Sequence, residues 1–369
     1  MGKRAVGASS SIRGVNLGNW LVLERWMDPE TSGPFAGAKA DDERTLRKEL
    51  DEAELQARLK QHRDSYVTRD TFLWLTDHGC NLVRLPLPYH LYGDSSHESC
   101  IDYVENAMDW AAECNMPMLL DLHTVPGGQN GFDNSGQSGL CTWHLESRQV
   151  AQTLAVLERV SRQYADHPTL FGVEAMNEPA SKHIFKGSMK RYGVEHPERV
   201  ERSAPIPHQV LAQFYKLVYE RLRPILGPRV ALVFHDQFRL YSWDRFMPKD
   251  RYPNVWIDTH QYIASYMRNT HMTTFHAHLL FTRALGARIA YAQRFHPVLV
   301  GEWSLSNNVK SLSKLSKDRR AAMMRRYSAA QLAAFERGAG GCFWSIENGR
   351  FATWSFRKSV DKGWIDYRM

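Results

Sequence analysis

Short apolar runs alternate along the chain with longer stretches in which apolar residues recur at helical spacing. Helical spacing covers 101–114, 147–165, 208–223, 274–295 and 319–338. Thr68 and His208 stand where two helices are expected to begin. The short runs predict eight strands, at 12–18, 80–87, 117–123, 170–176, 229–235, 254–260, 296–302 and 340–346.

Near-continuous apolar strands that alternate with helices favour a parallel sheet covered on both faces. A count of eight strands predicts an α/β fold in which the sheet closes into a single-domain (β/α)8 TIM barrel. An open doubly wound sheet is the alternative, but no G-x-G-x-x-G motif follows the first strand.

The same pattern predicts how the chain is divided. No linker splits it, so we expect an N-terminal tail at 1–11 and one domain at 12–369. An N-terminal excursion is expected at 28–66, before the second strand. The connection at 236–253 carries the weakest helical pattern of the eight repeats.

Composition narrows the class of protein. The chain has 369 residues, of which 43% are hydrophobic and 24% charged, so a large packed core is expected and disorder is not. Basic residues exceed acidic ones by seven but are scattered, and the densest run, 317–326, is typical of a solvated helix face. We therefore predict no nucleic-acid partner.

Several features favour a cytoplasmic location. The first ten residues lack the apolar stretch of a signal peptide, and no later segment reaches the length of a membrane span. No N-x-S/T sequon occurs, and there are five cysteines without a C-x-x-C pattern: Cys80, Cys100, Cys114, Cys141 and Cys342. A removed leader would leave the same pattern, and the oligomeric state is not readable.

Polar side chains cluster where the predicted strands end. In a barrel these ends form one mouth, which is where function resides. An unpaired carboxylate that ends an apolar strand is unfavourable and calls for a reason. Two glutamates come from strands 4 and 7, which face each other across the barrel; the full ring is Arg84, Asp121, His123, Asn177, Glu178, His260, Tyr262, Glu302 and Trp344.

Two facing carboxyl groups are what glycoside hydrolysis requires. One protonates the leaving oxygen while the other stabilises or attacks the anomeric carbon, and a separation of about 5 Å gives retention of configuration. Mutual repulsion is expected to raise the pKa of the acid, which would keep it protonated near neutral pH.

Six segments, in this order and spacing, carry a family resemblance: "RGVNLGNWLVLERWM", "NLVRLP", "DLHTVPGGQNGFDNSG", "AMNEP", "DTHQY" and "GEWS". Together they resemble glycoside hydrolase family 5 of the retaining clan A, over about residues 12 to 357. The opening motif, "QNGFDNSG" and the tail "FWSIENGRFATWSF" look most like the exo-β-1,3-glucanase branch.

The resemblance implies the catalytic roles. Glu178 would be the acid/base and Glu302 the nucleophile. Asn177 would hydrogen-bond the 2-hydroxyl of the sugar, an interaction that strengthens in the transition state. Arg84 and Tyr262 would contact Glu302 and hold it ionised.

It also implies the substrate contacts. His123 and His260 would reach sugar hydroxyls or the acid/base, and Trp344 would form the floor under the sugar in the cleaved subsite. Glu24 and Asp133 match positions that grip the non-reducing-end glucose in the exo-acting branch. Neither a cofactor nor a metal is implied.

The chain departs from that branch in two places. Ser345 is followed by Ile346 and Glu347, where the branch usually carries a Trp-Lys pair. After "GEWS", Asn307 is the one candidate for a sugar contact. Both differences bear on the glycone and aglycone preference and leave the two carboxylates untouched.

Simpler readings exist for several of these residues. Arg84 could form a structural ion pair, His260 and Tyr262 a hydrogen-bonded core pair, and Trp344 could pack in the barrel. Aromatic rings offer an apolar platform to sugar faces, and about half of seven others are expected in the core: Trp20, Trp26, Phe132, Trp143, Trp243, Trp303 and Trp354.

A histidine cluster suggests zinc but does not fit it. His271, His276 and His278 have no usual ligand spacing, and no carboxylate or cysteine joins them. We interpret them as the start of a helix.

The favoured function is a retaining β-glycosidase that binds a carbohydrate, cleaves β-linked glucosides and acts from the end of β-1,3-gluco-oligosaccharides. The alternatives are a glycosidase of the same fold acting on β-1,4-glucan, mannan, a diglycosyl flavonoid or a glucosylated lipid, and a catalytically silent sugar-binding barrel.

Overall fold

The computed structural model describes residues 11–29, 31–267 and 274–368, so the predicted tail lies almost entirely outside the described residues. Eight parallel strands pair in chain order, and the first also pairs with the last, which closes the barrel. The fold prediction is confirmed. The strands are β1 (Ile12–Asn16), β2 (Leu82–Leu87), β3 (Met118–Leu122), β4 (Leu170–Glu174), β5 (Ala231–His235), β6 (Val255–His260), β7 (Val298–Trp303) and β8 (Gly340–Phe343).

Helices surround this barrel, and the five predicted ones are present with ends shifted by a few residues. They are α1 (Glu43–Glu49), α2 (Glu52–Tyr66), α3 (Arg69–Asp77), α4 (Ile101–Glu113), α5 (Ser147–Tyr164), α6 (Lys182–Tyr192), α7 (Pro197–Glu201), α8 (His208–Leu226), α9 (Ile263–Met267), α10 (Phe275–Ala292), α11 (Lys317–Phe335) and α12 (Phe356–Asp361).

Both predicted helix starts are correct. The Thr68 N–H donates to the side chain of Thr71 (3.2 Å) just before α3, which satisfies a group that a helix leaves unpaired at its start. His208 is the first residue of α8. The connection between β5 and β6, residues 236–253, contains a short 3-10 helix (Leu240–Trp243) and no α-helix. This agrees with the weak helical pattern of that segment.

The helices pack on the sheet through one apolar face. In α4, for example, the buried residues Val104, Ala107, Met108 and Ala111 follow the spacing i, i+3, i+4, i+7 of one helix face. A fully buried side chain of this size contributes about 1.5–3 kcal/mol of burial free energy, so packing rather than helix propensity holds these elements in place. Among the described residues, no helix is both long and apolar enough to cross a bilayer.

The N-terminal excursion forms a small unit beside the barrel. α1 and α2 bury Leu46, Leu55 and Leu59 against Leu23 and Phe35, which follow β1. This unit brings the segment after β1 to the mouth of the barrel, where Glu24 lines a cleft.

Candidate active site

Arg84 lies at the centre of a buried ion network inside the barrel. Its Nε donates to Glu174 (2.8 Å), its Nη1 to Glu302 (3.0 Å) and its Nη2 to Asn177 (3.0 Å), while Asp121 lies 3.1 Å from Nη2. The sequence placed Arg84 at the end of a strand, but it is the third residue of β2 and only its long side chain reaches the mouth. The structural ion pair and the contact with Glu302 are therefore both present.

Glu302 is held at both carboxylate oxygens. Oε1 accepts from Arg84, and Oε2 accepts from the hydroxyl of Tyr262 at 2.6 Å. The preceding residue must be glycine, because a Cβ at Gly301 would overlap the carboxylate of Asp258. The backbone N–H of Gly301 donates to that carboxylate at 2.6 Å, which fixes the strand beside Glu302.

Glu178 stands four residues beyond β4, in a left-handed backbone conformation (φ 44°). Such a conformation costs a non-glycine residue about 1–3 kcal/mol and persists where surrounding contacts determine it. The side-chain amide of Gln129 donates to the carbonyl of Asn177 (3.0 Å) and so helps to hold this turn. The turn aims the Glu178 carboxylate at His260 (2.7 Å to Nδ1) and Asn134 (2.9 Å from Nδ2).

His260 connects the two glutamates. Its Nδ1 lies 2.7 Å from Oε1 of Glu178 and 3.3 Å from Oε2 of Glu302, and its Nε2 lies 3.2 Å from Asp258. The two glutamate oxygens are therefore no farther apart than the sum of the first two distances, 6.0 Å. One fully buried imidazole thus faces three carboxylates.

The two glutamates have pKa values displaced in opposite directions. Burial acts to raise the pKa of Glu178, but the hydrogen bond and charge of His260 outweigh it and lower that pKa to about 2. Burial raises the pKa of Glu302 against the charge of His260, and the charge of Glu178 adds to the rise. The pKa of His260 lies well above its usual range because the carboxylates outweigh its burial.

This order differs from the one that the sequence analysis predicted, in which Glu178 itself has the raised pKa. The difference has a physical cause: His260 lies across a 2.7 Å hydrogen bond from Glu178, and this bond and the charge of His260 favour the ionised form of the Glu178 carboxyl. A proton between two such groups belongs to the pair rather than to either residue. The pair therefore still holds one transferable proton.

His123 and Trp344 form a stacked pair beside Asn177. The His123 and Trp344 rings lie 5.4 Å apart at an angle of 11°. Nδ1 of His123 is 2.5 Å from Asp121 and its Nε2 is 3.3 Å from the Asn177 amide, so the partners assign the proton to Nδ1. Gly18 makes room for the indole, because a Cβ there would lie 2.6 Å from the Trp344 ring.

Glu24 and Asp133 supply two further buried carboxyl groups. Oε2 of Glu24 accepts from Trp26 (2.7 Å), and Oε1 has no hydrogen-bond partner among the described residues. Oδ1 of Asp133 accepts from Tyr192 (2.9 Å). Burial raises the pKa of both groups, and the charge of Asp133 raises that of Glu24 further. A buried carboxyl oxygen without a partner is suited to accept a hydrogen bond from a sugar hydroxyl.

A cleft of about 580 Å³ opens onto these residues. Most predicted site residues line it, whereas Arg84, His123 and Asn177 are fully buried and are not part of its lining. The predicted residues in the lining are Glu24, Asp133, Glu178, His260, Tyr262, Glu302 and Trp344; aromatic side chains complete the walls at Trp26, Phe132, Phe238, Tyr266, Phe351 and Trp354.

The sequence model of cellulase, glycosyl hydrolase family 5, matches residues 51–350. The chain belongs to glycosyl hydrolase family 5. It is therefore a glycoside hydrolase, and the family resemblance read from its six segments is confirmed. It is 30% identical to the probable glucan 1,3-beta-glucosidase A of Emericella nidulans, over 97% of this chain and 91% of that protein.

A second relative agrees with this assignment, and a solved structure shares the fold. The chain is 31% identical to the probable glucan 1,3-beta-glucosidase A of Aspergillus niger, over 93% of this chain and 86% of that protein. Its fold is similar to the crystal structure of rutinosidase from Aspergillus niger, with a TM-score of 0.78, 20% identity and coverage of 96% and 97% of the two chains.

Four residues of this family 5 site were missed from the sequence. Glu174 and Asp258 carried a usable signal, since a charge inside an apolar strand requires a buried partner. Asn134 lies in a loop and His235 ends β5 in a run that reads as an ordinary buried strand, so neither gave a specific signal.

The structure also places the predicted sugar contact Asn307 and the seven aromatic residues. Asn307 donates to the carbonyl of Leu305 (3.1 Å) and does not line the cleft. Of the seven aromatic residues, Trp20, Trp143, Trp243 and Trp303 are buried in the core and the other three line the cleft, so the expected division is confirmed.

Several groups of described residues bring three possible metal ligands within 4.8 Å, two of them around His260. In the group of Glu174, Asp258 and His260, the donor atoms already take part in the ion network, and the Arg84 guanidinium disfavours a further cation there. In the other group, Glu178 and His260 bond each other, and Nδ1 of His235 accepts from the N–H of Gln237. In the histidine cluster that suggested zinc, His271 lies outside the described residues. His278 hydrogen-bonds the carbonyl of Thr274, the residue just before α10 (3.0 Å).

Proposed function

We propose that the protein is a retaining, exo-acting β-glucosidase of β-1,3-gluco-oligosaccharides, with Glu178 as acid/base and Glu302 as nucleophile. The main support is the distance between the two glutamate oxygens that contact Nδ1 of His260, which is at most 6.0 Å. Retaining enzymes hold their carboxyl groups about 5–5.5 Å apart, and inverting enzymes about 6.5–9.5 Å apart to admit a water molecule. The close pair favours double displacement.

In the first step, a Glu302 oxygen attacks the anomeric carbon while the bond from that carbon to the leaving oxygen breaks. Arg84 and Tyr262 each bind one Glu302 oxygen, which orients the carboxylate and favours its ionised form. The leaving oxygen takes its proton from Glu178 as Glu178 receives one from His260 across their 2.7 Å hydrogen bond, which leaves Glu178 ionised and His260 neutral.

The second step uses the same residues in reverse. Once Glu302 is esterified its negative charge is lost, and the pair formed by Glu178 and His260 no longer faces the Glu302 carboxylate, although Asp258 remains beside His260. Glu178 then removes a proton from a water molecule, and that water attacks the anomeric carbon and releases Glu302. Two inversions give net retention.

Two observations support a glucose ring bound at its non-reducing end. Glu24 and Asp133 line the same cleft as the glutamate pair and can accept hydrogen bonds from sugar hydroxyls. Trp344 offers an apolar face in that lining, and Asn177 lies behind it with one amide hydrogen not used by His123. The names of the relatives, glucan 1,3-beta-glucosidase, support a β-1,3 linkage.

A reducing compartment is part of the proposal. All five cysteines are free thiols and four of them are buried, which suits a cytoplasmic enzyme acting on soluble oligosaccharides. Recovery of the native protein from culture supernatant, rather than from cells, would contradict this location.

Time-resolved proton NMR of hydrolysis of a β-1,3-gluco-oligosaccharide tests linkage, direction and stereochemistry together. We expect glucose as the first product, and as its β-anomer. First appearance of the α-anomer would overturn the retaining assignment. Release of longer oligosaccharides first would overturn exo action, and absence of hydrolysis would move the substrate to another β-glycoside.

A further inference from the structure

His235 is a fully buried histidine that the two-glutamate mechanism leaves without a role. It is the last residue of β5, and its ring lies 4.5 Å from that of His260 at an angle of 81°. One of its ring nitrogens lies within 4.8 Å of both a Glu178 carboxylate oxygen and a His260 ring nitrogen. It therefore stands directly behind the pair that holds the transferable proton.

The turn after β5 fixes the proton on this ring. The backbone N–H of Gln237 donates to Nδ1 of His235 at 3.1 Å. A neutral imidazole whose Nδ1 accepts a hydrogen bond carries its hydrogen on Nε2. Burial, followed by the charge of His260, lowers the pKa of His235 to about 3, so the ring is neutral at ordinary pH.

This turn is strained and strongly held. Gln237 and Phe238 are consecutive non-glycine residues in the left-handed region (φ 57° and 59°), a conformation that costs free energy at each position. The Asp236 side chain accepts from the N–H of Phe238 (2.7 Å) and from Thr259 (2.7 Å), which stabilises the turn. The result of that strain is a backbone N–H directed at His235.

Nε2 is the other ring nitrogen of His235. It is buried and has no hydrogen-bond partner among the described residues. A buried N–H without a partner is unfavourable and calls for an explanation. Since Nδ1 is occupied by Gln237, Nε2 is the nitrogen available to the glutamate site.

We propose that His235 is a positioning residue for the acid/base: its Nε2–H, fixed by the Gln237 turn, orients the pair formed by Glu178 and His260 so that their proton is delivered to the leaving oxygen. The inference deepens the proposed function and rests on its assignment of Glu178. His235 does not touch the substrate and exchanges no proton itself.

Two substitutions separate this role from a purely structural one. His235→Asn keeps an oxygen near the Nδ1 position, which can accept from Gln237, but has no group near Nε2. His235→Gln reaches the Nε2 position with an amide N–H. His208→Asn is the control, because His208 contacts the side chain of Gln237 (3.3 Å), whereas His235 contacts its backbone N–H, and His208 is not part of the cleft lining.

The readout is kcat/KM on two β-glucosides that differ in leaving group. Phenyl β-D-glucoside needs a protonated leaving oxygen, whereas 2,4-dinitrophenyl β-D-glucoside does not. General acid catalysis contributes roughly 10²–10⁴-fold to the rate. We expect kcat/KM of His235→Asn to fall by about 10-fold on the phenyl substrate and by less than about 3-fold on the dinitrophenyl substrate. His235→Gln should recover most of the loss.

The outcomes are distinguishable. Equal losses on both substrates, or a His235→Asn variant equal to wild type, would overturn the positioning role. A Glu178→Gln variant that is fully active on phenyl glucoside would instead overturn the proposed function. Imidazole ¹⁵N NMR gives a readout without substrate: we expect His235 as the neutral Nε2–H tautomer and a change of the His260 signal in His235→Asn but not in His235→Gln. An Nδ1–H tautomer would contradict the inference.

Discussion

Tyr262 donates its hydroxyl to Oε2 of Glu302 at 2.6 Å, while Arg84 occupies the other oxygen of the same carboxylate. Burial, and then the charges of Glu302 and Glu178, raise the pKa of Tyr262 well above its usual range, so it stays a donor at every working pH. The orientation of Glu302 therefore depends on a phenol that cannot ionise.

Replacing Tyr262 by Phe should lower kcat/KM by about 10²-fold, a loss comparable to that of one preorganised donor. The ring that packs on Trp354 would remain, so stability should change little. Steady-state kinetics on an aryl β-glucoside measures the effect. Tyr266→Phe is the matched control, because Tyr266 lines the cleft without bonding either glutamate; an equal loss there would contradict the argument.

Replacing Glu178 by Ala should lower kcat/KM on a poor leaving group by roughly 10²–10⁴-fold and leave an activated aryl glucoside much less affected. Added azide should then attack the glycosyl-enzyme in place of activated water and yield the β-glycosyl azide. Product NMR identifies the anomer. Formation of the α-azide would indicate that Glu178 is the nucleophile, which reverses the assignment.

Replacing Arg84 by Met should destabilise the fold by about 3–5 kcal/mol, since it leaves several buried carboxylates without their partner. Arg69→Met is the control: Arg69 pairs with Glu113 at the exposed surface, where an ion pair is worth about 0–1 kcal/mol. Urea unfolding of both variants gives the comparison. Similar losses in the two would show that the network around Arg84 adds no special stability.

Acid should destabilise the protein partly through His62 of α2. Burial lowers the pKa of His62 to about 4, below the value of about 6.5 expected in the unfolded chain. The unfolded state then binds more protons, so the stability from this residue is present above pH 6.5 and is lost as the pH falls toward 4.

Between pH 7 and pH 5 this loss should be about 2 kcal/mol, and His62→Gln should remove that part of the pH dependence. Urea unfolding at the two pH values measures it. A variant whose stability falls with acid as steeply as that of the wild type would contradict the prediction.

The barrel could be predicted because the strands are largely buried on both faces and therefore read as near-continuous apolar runs. The helix prediction succeeded where one face is buried and failed for α6 and α7, which lie in a polar segment, 182–201, with few buried positions. Their burial depends on contacts that are remote in sequence, such as that of Tyr192 with Asp133.

At the site, residue type and strand position predicted both glutamates, and the family resemblance implied the contacts of Arg84 and Tyr262 with Glu302. The direction of the pKa shifts was not predictable, because it depends on a histidine that faces both carboxylates at once. The backbone of Glu178 was equally hidden, since no sequence signal marks a left-handed glutamate.

The network around Arg84 also limits how this enzyme can diverge. One guanidinium binds side chains from β3, β4 and β7 and the amide beside Glu178, so these positions do not change independently. A substitution at one position of this network can be tolerated once its partner in the network has changed. The same substitution is rejected while that partner is still in its original form. Substrate specificity in this lineage is therefore expected to evolve through substitutions in the loops that line the cleft, which can occur one at a time. The buried charged residues are expected to change together or not at all.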